Sequence, residues 1–167
     1  NGYEKPLEGN LFQDFTMTYA GDLKSNQNID TIFSILKSLS SQDELFAKQL
    51  RFRLYGAFDN INPPAELRDK VIPYGYQTKD EIDRILPQSH ILLLLGNDQP
   101  DSQLVIHGKL YTYMAARRPV LALVNKPGDM SKLIQEHNLG AVFLYSEINE
   151  IKALSLIHIS EPTRLRR

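Results

Sequence analysis

The stretch GKLYTYMAARRPVLALV, residues 108–124, carries two different patterns in direct succession. Positions 109–116 have helix-forming composition with apolar residues at helical spacing. An Arg117-Arg118-Pro119 break follows, and 120–124 is a continuous apolar run. A strand without polar alternation is one covered on both faces, so a helix feeding straight into such a strand is half of a parallel α/β unit.

The alternation continues in both directions. Toward the N-terminus, 91–95 is a wholly apolar strand, 79–86 a helix bearing Ile82, Ile85 and Leu86, 71–74 a short strand, 64–69 a short helix and 50–55 a strand. Before these, 28–39 forms an amphipathic helix with Ile29, Ile32, Phe33, Leu36 and Leu39 inward, preceded by a loop at 21–26 and a strand at 15–20. Beyond the opening stretch come a helix at 129–137 and a strand at 141–145. Six strands separated by helices predict an α/β fold with a Rossmann-like, doubly wound parallel sheet. No internal repeat or low-complexity segment interrupts the pattern.

Composition narrows the function classes. A chain of 167 residues with 42% hydrophobic content suits one domain, and no apolar run approaches membrane-spanning length. The absence of Cys excludes disulfides, thiolate metal sites and cysteine nucleophiles. A net charge of −1, with no basic stripe interleaved with aromatics, argues against nucleic acid as a partner.

In a doubly wound sheet ligands bind beyond the carboxyl ends of the strands, which directs attention to the loops after Ala20, Tyr55, Tyr74, Leu95 and Val124. Gly21 lies where a backbone can approach a phosphate, although a tight βα turn alone would also call for glycine. Gly56 and Gly75 follow the second and third strands in the same way. The loop 96–107, GNDQPDSQLVIH, is polar, and the helix starting at Gly108 or Lys109 points its amides back toward it. Unpaired N–H groups, positive helix-end potential and the charge of Lys109 make this the expected place for a diphosphate. His107, beside the helix start, could donate to a phosphate or sugar hydroxyl, or simply cap or pack. No second ligand stands at metal-binding spacing around His107, so no metal is expected. A Gly-x-Gly-x-x-Gly fingerprint and a Gly-Lys-Ser/Thr loop are both absent, against a standard dinucleotide or P-loop site. Tyr111, Tyr113 and Met114 are expected to pack their helix onto the sheet, and His90 to be a loop residue.

The run Lys109-Leu110-Tyr111-Thr112-Tyr113-Met114-Ala115-Ala116, with Pro119-Val120-Leu121 after it, resembles the donor-binding half of two-domain, GT-B type glycosyltransferases that build capsules and exopolysaccharides. The resemblance implies one half of a GT-B fold. It also implies transfer of a sugar from a nucleoside diphosphate sugar to an acceptor hydroxyl, with a glycan or lipid-linked acceptor and no cofactor or metal. By the same resemblance Lys109 and Thr112 bind the donor and Gly75 and Tyr76 line the base pocket, while Gly21 and His107 join the donor-binding set through their positions in the first βα loop and beside the helix start. Tyrosines near strand ends also commonly pack with a wet hydroxyl, so the Tyr76 assignment rests on the resemblance. Asn1-Gly2-Tyr3-Glu4 is similar to the motif that opens the family's interdomain hinge. Residues 1–12 are therefore expected to be a hinge remnant, with 13–153 as the nucleotide-sugar-binding domain. The acceptor-binding domain is then missing, together with any general base, and the chain alone should bind donor weakly and not transfer. A cytoplasmic location follows, reaching the inner face of the membrane through that missing domain.

Several positions depart from the family pattern. Two glutamates that contact sugar and ribose fall on Leu104 and Thr112, and the Arg and Lys that clamp the diphosphate fall on Asp22 and Gln27. Thr112 retains a hydroxyl that can reach ribose, and Lys24 can partly compensate for the lost charge, whereas Asp22 would repel a diphosphate unless it points away. At the other end, residues 154–164, LSLIHISEPTR, are similar to a translated transposase-type sequencing adapter, so 154–167 is expected to be a non-native tail. Without it, 16 basic residues stand against 19 acidic ones, a net charge of −3. Three other functions stay open: half of a sugar-nucleotide epimerase, a flavodoxin- or receiver-like interaction module, and a degenerate glycosyltransferase that only binds.

Overall fold

In a computed structural model, residues 5–23, 27–58, 61–96 and 108–153 are described. The chain runs β1 (Thr16–Ala20), α1 (Ile29–Gln42), α2 (Glu44–Gln49), β2 (Arg51–Tyr55), β3 (Val71–Gly75), α3 (Lys79–Ile85), β4 (Ile91–Leu95), α4 (Lys109–Ala116), β5 (Val120–Val124), α5 (Asp129–Glu136), β6 (Gly140–Leu144) and α6 (Ile148–Ala153). All strand pairs are parallel, in the order β3-β2-β1-β4-β5-β6. The expected six-stranded, Rossmann-like sheet is therefore present, and its strand order reverses between β1 and β4.

The apolar runs of the central strands β4 and β5 are continuous because each feeds two cores. In β4, Ile91, Leu93 and Leu95 enter the core under α1, α2 and α6, whereas Leu92 and Leu94 enter the one under α3, α4 and α5. β5 divides likewise, with Leu121 and Leu123 on the first face and Val120, Ala122 and Val124 on the second. A period of two in side-chain direction, with helices on both sides, turns every position into an interior one.

Helix boundaries follow capping chemistry. The Asn28 side chain accepts the Thr31 N–H, Asp43 accepts that of Phe46 at 2.9 Å, and Thr78 with Glu81 forms a reciprocal capping box. The Arg-Arg-Pro break becomes a left-handed cap. Arg117, at φ 52°, ends α4, and Pro119 turns its carbonyl to the Leu92 N–H.

Two short helices were not anticipated. α1 runs on to Gln42 and α2 starts at once from the Asp43 cap, so the polar SSQDE stretch hides a junction between helices. α6 is only six residues long, yet Ile151 is fully buried in the α1-side core.

From Leu7 onward the first segment is tied to the sheet domain. The Leu7 N–H donates to Ala115, the Phe12 N–H to Gln88, and the Phe12 ring lies 3.8 Å from the Arg53 guanidinium carbon. Arg118 holds the same segment from below, donating to the carbonyls of Pro87 and Gly9.

His90 is more than a loop residue, because it pairs with both backbone groups of Thr16. Its N–H donates to the Thr16 carbonyl, and its Nδ1 accepts the Thr16 N–H at 3.1 Å beside the Phe15 ring. Burial, with a smaller contribution from Arg118, lowers its pKa from the ordinary 6.5. The folded state thus favours neutral His90, and stability complete above pH 6.5 should fall as the pH drops below 6.5 through the lowered folded value. In urea titrations across this range, His90→Asn, which keeps an acceptor and cannot titrate, should flatten that acid limb. An unchanged slope would place its origin in other groups.

Candidate functional site

Beyond Thr18 and Leu92 the register between β1 and β4 ends, whereas β1 and β2 pair over all five residues. Side chains bridge the parting strands. The Tyr113 hydroxyl of α4 accepts the Ala20 N–H and donates to the Leu93 carbonyl, each at 3.1 Å. Farther along, Gln27 Nε2 donates to the Leu95 carbonyl, and its Oε1 accepts from the Tyr19 hydroxyl. Burial raises the pKa of both tyrosines, so both phenols stay protonated and able to donate.

The ends of β1 and β2 need glycine. Gly21 and Gly56 have φ of 134° and 135°, and a Cβ on Gly56 would lie 2.3 Å from the Gly21 carbonyl oxygen. This close approach brings the two loops side by side. The Gly21 N–H donates to Tyr55 at 2.7 Å, and Asp22 Oδ1 accepts the Ala57 N–H at 2.9 Å. Asp22 is thereby used as a clasp between the loops.

β3 reaches the same edge through an irregularity. Pairing slips between Leu54–Pro73 and Tyr55–Gly75, leaving Tyr74 as the extra residue, its ring stacked on Tyr55 at 4.8 Å and 12°. Pro73 is tolerated because β3 is an edge strand. Gly75, at φ 71°, then turns the chain toward Tyr76 and Gln77.

These pieces enclose a cleft of about 210 Å³ over the second core face. Its floor is Ala20, Gly21, Asp22, Tyr55 and Gly56, with α4 on one side and Tyr76, Gln77, Ile82 and Leu86 on the other. Lys109 crosses it. Its ammonium donates to the Tyr19 hydroxyl at 3.0 Å and lies 4.2 Å from that ring's centroid, close enough to Gly21 that a Cβ there would come within 2.6 Å. Of the described lining residues, Lys109 carries the only positive charge. α4 begins at Lys109 with Gly108 as its N-cap, and no side chain among the described residues caps its first turn. The N–H groups of a helix's first turn are suited to an anion.

The structure brings together Gly21, Tyr76, Lys109 and Thr112 as cleft-lining residues, with Gly75 directly behind Tyr76. His107, Lys24 and Leu104 lie outside the described residues. Tyr76 is 83% exposed and stands at the rim, and the stacked ring pair is Tyr55 with Tyr74. Tyr111 departs from the expected packing role, because it is 49% exposed while Tyr113 is buried and Met114 packs on the second core. Adjacent helical positions point about 100° apart, so three aromatic and thioether side chains within four residues cannot share one face. Gln27 and Asp22 hold the architecture through hydrogen bonds. Sequence reading missed Tyr19, Tyr55 and Gln77. A tyrosine at the end of an apolar strand facing the ligand edge is the signal that could have raised the first two.

No family model and no curated protein sequence matches this chain. Solved structures do match it in fold. S. aureus TarM, in complex with fondaparinux, alpha-GlcNAc-glycerol and UDP, superposes with a TM-score of 0.67 at 16% identity over 99% of this chain and 32% of that one. WaaG, a glycosyltransferase involved in lipopolysaccharide biosynthesis, gives 0.63 at 16% identity over 92% of this chain and 40% of that one. A UDP-forming α,α-trehalose-phosphate synthase from Burkholderia xenovorans gives 0.67 at 8% identity over 92% and 37%. The likeness is one of fold, and the chain spans between 32% and 40% of the length of these three proteins.

Proposed function

We propose that this chain is the donor-binding half of a glycosyltransferase that moves a sugar from a nucleoside diphosphate sugar to an acceptor hydroxyl in glycan synthesis. One observation carries the reading: the Lys109 ammonium lies over Gly21 at the parting of β1 and β4, in a cleft flanked by the N-terminal turn of α4. A switch-point crevice with a helix N-terminus and one cation fits a phosphorylated ligand, and the fold neighbours named above support the sugar-transfer chemistry. In this reading the base lies toward Tyr55, Gly75 and Tyr76, and Thr112 faces the ribose. The acceptor oxygen bonds to the anomeric carbon as the bond to the diphosphate oxygen breaks. The hydroxyl proton passes to a base in an acceptor-binding domain beyond this chain, and helix amides with Lys109 stabilise the departing diphosphate. No metal is assigned to that step. The acceptor is a glycan or lipid-linked glycan, met at the inner face of the membrane; among the described residues no helix is long and apolar enough to cross it.

Calorimetric titration of the chain with UDP, GDP and ADP tests the proposal. One nucleotide should bind in preference to the others, and Lys109→Ala should weaken it about tenfold, the size of one charge-assisted hydrogen bond. No binding by the folded protein would overturn the reading. It would favour a degenerate domain that serves only as a partner, a reading that the internal use of Asp22 and Gln27 also supports.

A further inference from the structure

We propose that Tyr19 is a positioning residue whose buried hydroxyl seats the Lys109 ammonium over Gly21 before any ligand arrives. The inference rests on the reading of Lys109 as a phosphate-binding group and adds a residue to it.

A lysine side chain ends in a strongly hydrated ammonium on four rotatable bonds, and holding it in one place costs conformational entropy. Something must therefore offset solvent at this position. Tyr19 is fully buried on β1, and its hydroxyl has one proton to give and lone pairs to offer. Two acceptors lie within reach of that proton, Gln27 Oε1 and the Asp22 carbonyl, both at 3.1 Å. Gln27 is itself oriented, because its Nε2 donates to the Leu95 carbonyl at 3.1 Å and a flipped amide would lose that bond. With the proton directed toward β4 and the loop, a lone pair is left facing Lys109, which donates to it at 3.0 Å. The ring face adds cation–π attraction at 4.2 Å.

Gly21 completes the arrangement. Any side chain there would meet Lys109 Nζ at 2.6 Å and Cε at 3.1 Å, so the glycine leaves room for the lysine to lie down as well as for a ligand to approach. Gln27 thus orients Tyr19, which in turn seats Lys109 from β1. A preset ammonium spares a ligand the ordering of that side chain, and the gain should appear only for ligands that carry phosphate.

The test compares wild type, Tyr19→Phe, Lys109→Ala and the double variant of the full chain. Each is titrated with whichever of UDP, GDP and ADP binds best and with the matching nucleoside. Tyr19→Phe keeps ring and volume and should weaken the diphosphate about threefold to tenfold while leaving the nucleoside unchanged. The double variant should bind as Lys109→Ala does. Equal losses for nucleoside and diphosphate would reveal a packing role and overturn the proposal, as would losses that multiply in the double variant.

A second measurement needs no nucleotide. In a chain labelled at lysine Cε, the signal missing from Lys109→Ala identifies Lys109, and its NMR relaxation should report restricted motion in wild type. In Tyr19→Phe, or in Gln27→Ala should the first variant not fold, the signal should shift measurably toward the relaxation of the surface lysines. Lys109 relaxing like a surface lysine in wild type would overturn the positioning role whatever the nucleotide result. Restricted Lys109 in a protein that binds no nucleotide would sink only the donor reading.

Discussion

Gly56→Ala is expected to destabilise the protein by about 2–6 kcal/mol, combining backbone strain of about 1–3 kcal/mol with an overpacking cost of about 1–3 kcal/mol. Both contributions come from observed geometry. Gly56 has φ of 135°, where residues with a Cβ rarely settle, and its Cβ would sit 2.3 Å from the Gly21 oxygen and 2.6 Å from the carbon behind it. The obstacle is backbone, so no rotamer change can relieve it. Relief requires the β1 loop to move, and with it the Gly21 N–H bond to Tyr55 and the Asp22 clasp on Ala57. Gly75→Ala is the internal control. At φ 71° its backbone is also left-handed, but a Cβ there meets nothing within 4 Å, so only the strain remains. Urea unfolding followed by circular dichroism should place Gly56→Ala well below Gly75→Ala. Equal losses would mean that the two loops separate freely and that their close approach is not part of the site.

Tyr113→Phe is expected to cost about 2–6 kcal/mol although it removes a single oxygen, because two buried backbone groups lose their partner at once and each orphan costs about 1–3 kcal/mol. The Ala20 N–H donates to that oxygen and the Leu93 carbonyl accepts from it, in the gap where β1 and β4 no longer pair directly. Tyr113 is buried, with 1% of its surface accessible, and the phenyl ring would fill the same space, so no cavity accompanies the loss. One helical turn separates Tyr113 from Lys109, and loosening the clasp should therefore also weaken nucleotide binding. Amide exchange offers a local check. The Ala20 N–H should be protected in wild type and exchange much faster in the variant, while amides of β5 change only with global stability. Unchanged protection would mean that a water molecule replaces the hydroxyl.

Much of the fold was legible because it depends on local physics. The run Ile91–Leu95 has five apolar residues without a polar one, and only a strand between two helical layers can use them all. The capping pairs at Asn28 and at Thr78 with Glu81 start helices from within four residues of sequence. Where local signals were short the reading thinned. α2 merges with α1 across one residue, and α6 owes its place to Ile151 meeting a core assembled from distant strands.

The candidate site divides along the same line. Glycines after strands and a lysine at a helix start are recognisable in sequence, because φ demands and helix-end amides act on neighbouring residues. The partnerships that give those residues their places join positions 19 with 109, 20 with 113 and 27 with 95. No periodicity encodes such pairs, since a hydroxyl bonds whatever the strand order brings to it. From its residues alone this chain determined six strands, most of their helices and the edge where ligands belong. Only the tertiary structure decided that Asp22 clasps a loop, that Gln27 orients Tyr19 and that Lys109 lies over Gly21, because β1 and β4 become neighbours, and then part, only in the folded sheet.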